Sequence, residues 1–579
     1  MQALFDEGVL VRNGAVKVAR SLLQLRLPPT VQGVLASRID RLPTDQKELL
    51  QTLAVIGRES LLGLLGKVVS RTEAQLERML RDLQAGEFIY EQPATGDIEY
   101  VFKHALTQEV AYASLLVERR KLLHGRAAVT MESLYANRLD DHLSELAHHY
   151  SCSAHARKAV HFLGRAGRQA QERSAYPEAL VFLTKGLELL EQLPNDAERA
   201  LQEFDLQMAL GWLVYQTKGP AAAERQVPVV RARELAEQLG DDAKLTEALI
   251  ALANLMCNRG APGTREVAEQ ALALAERGDD AGLLAGAHYE LGHIMYFCGE
   301  FAASNEHCER ALELFGGGPY RNFWEAENAR ASAILPVWNS ILLGYPDTAR
   351  KRSNDMLALA RRSADPTSIA LPLLFDAAAN SILGDAPKAL ERAEEELAIG
   401  AEYGLGMHLV LGTFLRGWAL AVQGQVNEGI AEMRRLPLAG LEAAAGWYMN
   451  ALAEVYRASE CPDEGLEAVS YGLATGEKTG QTYFEARLHH LKGELLLMKN
   501  SSNVEEAERA FSTAIEVARR QGARLFELRA TNSFARLLTK QGRRDEARAM
   551  LAEIYGWFAE GFDTADLKDA KALLDELSR

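Results

Sequence analysis

From about residue 155 onward, apolar and small residues recur with the period of amphipathic helices, in paired blocks broken by short polar turns. Within a pair, a small residue is followed seven positions on by Gly or a polar turn residue, and five beyond that by Ala or Gly. The spacing passes through Gly167/Ser174/Ala179, Ala377/Gly384/Ala389, Gly417/Gly424/Gly429, Ala453/Glu460/Gly465 and Ala535/Gly542/Ala547. The units recur at roughly 40 residues, the signature of a helical-hairpin solenoid. A first helix needs a small residue where its partner crosses closely; a turn former ends it; a small residue on the second helix lets the two nest. The pattern predicts about ten hairpins, with turns at Gly299-Glu300-Phe301, Gly344-Tyr345-Pro346-Asp347, Gly384-Asp385-Ala386-Pro387 and Gly542-Arg543-Arg544-Asp545. Around Gly260 and Asn500 the register slips.

The region before the repeats reads differently. Val9-Leu10-Val11 and Val16-Lys17-Val18 flank Arg12-Asn13-Gly14-Ala15, and Asn-Gly is the strongest short hairpin signal. With a helix end before it, residues 1–27 read as the remnant of an upstream domain. Pro28-Pro29 breaks the chain, and short helices are predicted over Thr30–Leu42, Thr44–Ile56, Leu61–Val69 and Thr72–Ala85. Phe88-Ile89-Tyr90 and Ile98–Phe102 alternate like strands around the turn-rich Pro93–Asp97. Helices followed by one hairpin predict a winged-helix-like module with a linker helix over 28–135, and the repeat array then occupies 136–579.

Composition narrows the class. The chain has 579 residues, 48% hydrophobic and 25% charged, which is ordinary for a globular protein with a large core. A net charge of −16 argues against general nucleic-acid binding, whose affinity comes from Lys and Arg on phosphates. Cys152, Cys257, Cys298, Cys308 and Cys461 are scattered, with no CxxC pair. Neither a zinc ribbon nor a disulfide framework is predicted, and a cytoplasmic setting fits. No stretch approaches the roughly 18–20 apolar residues of a membrane span, and the first residues lack a signal-peptide pattern. No membrane partner is expected.

Gly292, Gly299, Phe301, Ser304 and Ala311 resemble the tetratricopeptide pattern, in a longer repeat than usual. Two peptides are more specific: the run from Leu27-Pro28-Pro29-Thr30 to Ile39-Asp40-Arg41-Leu42, and Phe102-Lys103-His104-Ala105-Leu106-Thr107-Gln108 continuing to Tyr112. They resemble the region after the nucleotide-binding core in bacterial STAND-type ATPases, especially large ATPases fused to class III adenylate/guanylate cyclase domains. Large LuxR-family activators share the layout. The resemblance implies a cyclase or other effector and a P-loop ATPase upstream, with this chain as the C-terminal portion of such a protein or a stand-alone product. A P-loop needs GxxxxGK followed by Ser or Thr. The nearest approach, Gly63-Leu64-Leu65-Gly66-Lys67-Val68, has the wrong glycine spacing and Val where the hydroxyl belongs. No catalytic residue and no cofactor is assigned to the chain; ATP or ADP enters only with an upstream ATPase core.

By the same resemblance, His104 is the residue that would reach the phosphates of bound ADP; its other reading is a helix cap. His142, His148, His149, Cys152 and His155 form the densest group of metal-ligand types, with His148 and Cys152 at i, i+4. Leu143, Leu146, Ala147 and Tyr150 nevertheless read as an ordinary amphipathic helix, and no metal site is predicted. Arg119-Arg120-Lys121 with His124 and Arg126 is a compact basic run, a pattern that usually marks a solvated helix face. With the small residue of each first helix as reference, the positions expected to line the concave groove are Tyr289, His293 and Tyr296, then Trp338, Phe414 and Trp418, then His490 and Glu494. Aromatics there offer anchors for a partner; they also fill hairpin-to-hairpin contacts.

The expected architecture is all-α: a winged-helix module followed by a right-handed tetratricopeptide-like α-solenoid. The resemblance implies a non-catalytic sensor and regulatory arm of a STAND-type signalling ATPase. Its groove would bind a protein or small-molecule inducer, and it would act on an upstream ATPase or cyclase module. The alternatives are a fragment of an ATP-binding adenylate or guanylate cyclase, and a transcription regulator that binds DNA through the winged helix.

Overall fold

The structure, a computed structural model, describes residues 10–13, 15–18, 29–69, 71–94, 97–316, 323–362, 366–436 and 442–579. The chain divides into two units, Met1–Gly167 with Val181–Pro194, and Arg168–Leu180 with Asn195–Arg579.

In the first unit, β1 (Leu10–Asn13) pairs antiparallel with β2 (Ala15–Val18), and Asn13 lies opposite Ala15. The strands thus run closer to Gly14 than the four-residue turn expected from the sequence. The helix end expected before them lies outside the described residues. Next come helices Pro29–Asp40 and Thr44–Ile56, β3 (Glu59–Leu61), helices Leu62–Val68 and Glu73–Ala85, then β4 (Ile89–Ala94) and β5 (Asp97–Phe102). The sheet order is β3-β5-β4, antiparallel throughout. Thr72 starts its helix with a capping box, its side chain accepting from the Gln75 N–H while the Gln75 side chain accepts from the Thr72 N–H. Leu50, Leu53, Leu65, Leu80, Leu83 and Phe102 form the core between helices and sheet. The sequence does not show β3: three residues are too few to alternate, and Ser60, the buried one, is polar.

Ten consecutive helix pairs follow among the described residues, from Ala156–Glu172 with Tyr176–Leu190 to Arg524–Lys540 with Arg544–Tyr555, and Ala565–Leu577 closes the series. Backbone geometry explains the repeat spacing. Its middle residue is left-handed in every instance named above: Ser174 (φ 57°), Gly384 (77°), Gly424 (99°), Glu460 (56°) and Gly542 (83°). That conformation turns the chain out of a helix. Asn500 instead ends its helix in extended backbone (φ −154°, ψ 120°), and its side chain accepts from the Ser502 N–H at 3.0 Å. This different stop accounts for the slip in register there. The small residues mark close crossings: a Cβ on Gly417 would lie 2.7 Å from the carbonyl oxygen of Gly429, and one on Gly292 would lie 2.8 Å from Cys308 Sγ. Phe301, Ser304 and Ala311, the other tetratricopeptide-like positions, are buried.

The sequence predicts a groove along the inner face of the second unit. In the structure that face is closed by contacts between distant repeats. Gln481 Nε2 donates to the carbonyl of Cys257 (2.7 Å), Thr482 Oγ1 to that of Cys298 (2.9 Å), and Arg529 to that of Ile382 (2.7 Å). One hydrophobic cluster consequently runs from Tyr296 to Phe526. The inner positions carry large apolar side chains, and burying them favours a tightly wound array over an open one.

Candidate functional site

The closed inner face leaves a cavity of about 890 Å³. Seven successive first helices contribute to its walls: Ala197–Lys218, Asp242–Asn258, Ala281–Phe297, Phe323–Leu342, Ala370–Leu383, Gly406–Val422 and Ala445–Ala458. The lining shifts along them. Helix Ala281–Phe297 contributes its second half (Tyr289, His293, Tyr296, Phe297), whereas Gly406–Val422 contributes its start (Gly406, Met407, Val410, Leu411). Winding turns each successive helix so that it presents an earlier part to the same space.

Nine of the lining residues are Phe, Tyr or Trp. Trp338 packs against Tyr296 (ring centroids 5.6 Å), Phe375 (5.0 Å) and Trp447 (6.4 Å), and Tyr483 lies 5.3 Å from Tyr296. These are the tilted, offset distances favoured by aromatic quadrupoles. Trp338 Nε1 donates to the Phe375 carbonyl (3.1 Å) and Tyr483 OH to that of Ala443 (3.0 Å). Tyr296 differs: it is fully buried, it lines the cavity, and among the described residues its hydroxyl has no hydrogen-bond partner. Burial pushes its phenol well above the ordinary range, so it is a neutral donor at any working pH.

A polar chain runs behind one wall. Arg225 Nη1 donates to Asn254 Oδ1 (3.2 Å), Asn254 Nδ2 to Glu290 Oε2 (3.1 Å), and His293 Nδ1 lies 3.2 Å from Glu290 Oε1. Arg225 is buried, which lowers its pKa to about 10, and its guanidinium sits 4.9 Å from the Tyr215 ring centroid. Asn254 and His293 are the members of this chain that reach the cavity.

Of the residues expected in the groove, Tyr289, His293, Tyr296 and Trp338 line this cavity, whereas Phe414, Trp418, His490 and Glu494 do not. Phe414 and Trp418 are buried at 1% and 2% exposure. Phe414 fills the contact with Trp447 (5.4 Å) and Tyr448 (4.7 Å) of the next hairpin. The expectation used one helix face for every repeat and missed the shift along the helices. His490 and Glu494 lie instead in a buried polar network. His490 Nε2 meets Ser533 Oγ (2.8 Å), Ser533 Oγ donates to Glu494 Oε1 (2.9 Å), and Arg487 reaches both His490 and Glu454. Burial raises the Glu494 carboxyl, but His490, Arg457 and Arg487 outweigh it and hold the group well below the usual range. Trp447, Phe375 and Tyr483 were not singled out from the sequence; an aromatic census of the first helices, free of a fixed register, would have found Trp447 and Phe375.

His104 follows β5 and is the N-cap residue of helix Ala105–Ala113, exposed and without a side-chain capping bond. The basic run is partly used internally. Arg120 stacks on Tyr112 (4.2 Å) and donates to the carbonyls of Tyr112 and Leu115, Lys121 pairs with Glu118 (3.1 Å), and His124 is buried. The P-loop look-alike lies within helix Leu62–Val68. The ligand atoms of His124, His148 and Cys152 lie within 4.8 Å of one another, as do those of Cys257, Glu290 and His293. Both nitrogens of His124 are engaged, Nε2 with Tyr112 OH and Nδ1 with His149 Nδ1, each at 2.9 Å. His142 instead pairs with Glu145 (2.8 Å). All five cysteines are free thiols. Among the described residues no helix is long and apolar enough to cross a membrane.

No family model matches the chain. A curated relative, an uncharacterised protein of Rhizobium meliloti (strain 1021), is 24% identical over 552 residues, covering 88% of this chain and 50% of its own. The chain thus spans about half the length of that relative. Among solved structures, a STAND protein with a tetratricopeptide repeat sensor from Pyrococcus horikoshii is 14% identical at a TM-score of 0.31, covering 96% of this chain and 68% of that one. A Rap protein complexed with competence and sporulation factor is 12% identical at 0.35, covering 73% and 99%. Yeast Tom70 is 13% identical at 0.30, covering 79% and 93%.

Proposed function

We propose that this chain is the non-catalytic sensor arm of a STAND-type signalling ATPase. In this reading an inducer held inside the repeat array biases an upstream ATPase or cyclase module in the cytoplasm. The cavity carries the proposal. Its walls come from seven successive hairpins, so an occupant touches repeats far apart along the array, and its binding energy selects one winding of the array over others. Residues 28–135, whose elements run helix, helix, strand, helix, helix and hairpin before further helices, are read as a winged-helix-like module with a linker helix. His104, exposed directly after β5, is the residue offered to a nucleotide held by the ATPase module.

The isolated chain is expected to release no phosphate from ATP, and sustained hydrolysis would overturn the non-catalytic reading. Occupancy is tested with the apolar fluorophore N-phenylnaphthylamine. It should bind saturably and raise the melting temperature, and Val410→Trp, a substitution at an exposed position of the cavity wall, should weaken both effects. The DNA-binding alternative predicts salt-dependent duplex binding that disappears when Arg119, Lys121 and Arg126 become Ala.

A further inference from the structure

The cavity is chemically lopsided. Lys218, Arg259 and Lys478 line it together with His293, and among the described residues no Asp or Glu does. The chain as a whole carries 80 Asp and Glu against 64 Lys and Arg. A wall of the opposite bias is therefore not what composition alone supplies.

The three cations gather at one end. Arg259 Nη1 donates to Gln226 Oε1 (2.8 Å), Arg225 Nη1 to the Pro220 carbonyl (2.5 Å) and to Asn254, and Gln481 Nε2 to the Cys257 carbonyl (2.7 Å). These bonds tie together segments 218–226, 254–260 and 478–483, each of which brings one of the cations. Lys218, Arg259 and Lys478 are exposed. Lys218 also pairs with Glu224 outside the wall (2.8 Å), and Glu290, behind it, takes Asn254 and His293. Lys218 and Lys478 lie in last turns, where a cation also offsets the helix dipole. That role does not require an aromatic chamber beside them, and here there is one. Trp338, Trp447 and Tyr296 are among the aromatic residues that line it.

We infer that the cavity takes a small amphipathic organic anion. Its flat apolar body lies against Tyr296, Trp338 and Trp447, and its anionic head lies among Lys218, Arg259 and Lys478. The volume of about 890 Å³ falls within the range of roughly 300–1,000 Å³ typical of small-ligand sites. The inference rests on the cavity reading above and adds the charge and shape of the occupant.

Two probes share one aromatic body: anilinonaphthalene sulfonate carries an anionic head, and N-phenylnaphthylamine is its uncharged parent. Both are titrated into the full chain by fluorescence. The sulfonate is expected to bind about tenfold more tightly, with a preference that fades as salt is raised. The combined Lys218→Ala, Arg259→Ala and Lys478→Ala variant should erase the preference and leave the neutral probe unchanged, and Val410→Trp should weaken both. The substituted cations are exposed, so the variant is expected to fold, and its thermal unfolding is the check. Equal affinity for the two probes, or a preference that the triple variant keeps, overturns the anion assignment and leaves the cavity reading intact. Saturable binding of neither probe, or binding indifferent to Val410→Trp, overturns both.

Discussion

Thr482 Oγ1 donates to the main-chain carbonyl of Cys298 at 2.9 Å, across 184 positions of sequence. Beside it, the Tyr483 N–H donates to the Phe297 carbonyl (3.2 Å). Further along the array the Gly561 N–H donates to Asp347 Oδ2 (2.9 Å), and Arg350 pairs with Asp563 (3.0 Å). These contacts form a seam that holds the inner face closed.

The seam has strong and weak members. Gly561 has φ +78°, and a Cβ there would collide with the Pro346 ring. Gly561→Ala combines backbone strain with that collision and is expected to cost about 2 kcal/mol or more. Arg350→Ala removes a pair whose side chains are 36% and 67% exposed and should cost at most about 1 kcal/mol. Denaturant unfolding of the two variants in parallel measures the difference; equal losses would mean that packing at Gly561 does not hold the seam.

Trp338 and Trp418 are both core residues, but one of them lines the cavity. Truncating either to Ala should destabilise the array by about 3–5 kcal/mol. Only Trp338→Ala should also alter probe affinity, because it removes cavity wall and the Nε1 bond to Phe375. Thermal unfolding with and without N-phenylnaphthylamine separates the two effects. If Trp418→Ala weakened the probe as much as Trp338→Ala, the boundary of the site would be misplaced.

The helix pairs were legible because each stop is a local event. Ser174 and Glu460 take the same left-handed turn as Gly384 and Gly424, so spacing reveals it even where glycine is absent. The closure of the inner face was not legible, since it depends on Gln481 and Thr482 meeting carbonyls of repeats far upstream. Without the winding, Tyr296 and Phe414 look alike in sequence; in three dimensions one faces the cavity and the other the next hairpin. The three cations of the basic end likewise sit at the ends of separate helices, and no local pattern joins them.

Arg487 and Glu454 form a buried ion pair inside the last hairpins. Burial raises the Glu454 carboxyl, but Arg487 and Arg529 overcome it and the net shift is downward; Asp566 is lowered in the same way, chiefly by Arg529. Carboxyls lowered on folding contribute stability that is present above their unfolded values, near pH 4, and lost as pH falls through the folded ones. Arg487→Met leaves Glu454 buried without its main partner and should cost about 3–5 kcal/mol. Replacing both by Met should recover much of that loss. Urea unfolding of the single and double variants tests the coupling, and additive losses would show that the pair does not act as a unit.

His124 and His149 give the first unit an acid limit of its own. Their Nδ1 atoms are 2.9 Å apart. Burial, with neighbouring imidazoles adding to it, lowers His124 to about 3 and His149 to about 4. Both rings are therefore neutral in the folded unit at pH 7, and one Nδ1 donates to the other. In the unfolded chain each takes a proton near pH 6.5. Bases lowered on folding contribute stability that is fully present above that value and is lost as pH falls toward the folded values. The unit is expected to weaken between about pH 6.5 and 4, by up to about 1.4 kcal/mol per pH unit for each ring. His124→Gln, which cannot titrate, should remove one ring's share of the slope. Imidazole resonances followed by NMR supply the direct check: both rings should keep their neutral shifts at pH 5, and a midpoint near 6.5 for either would mean that it is not held neutral by burial.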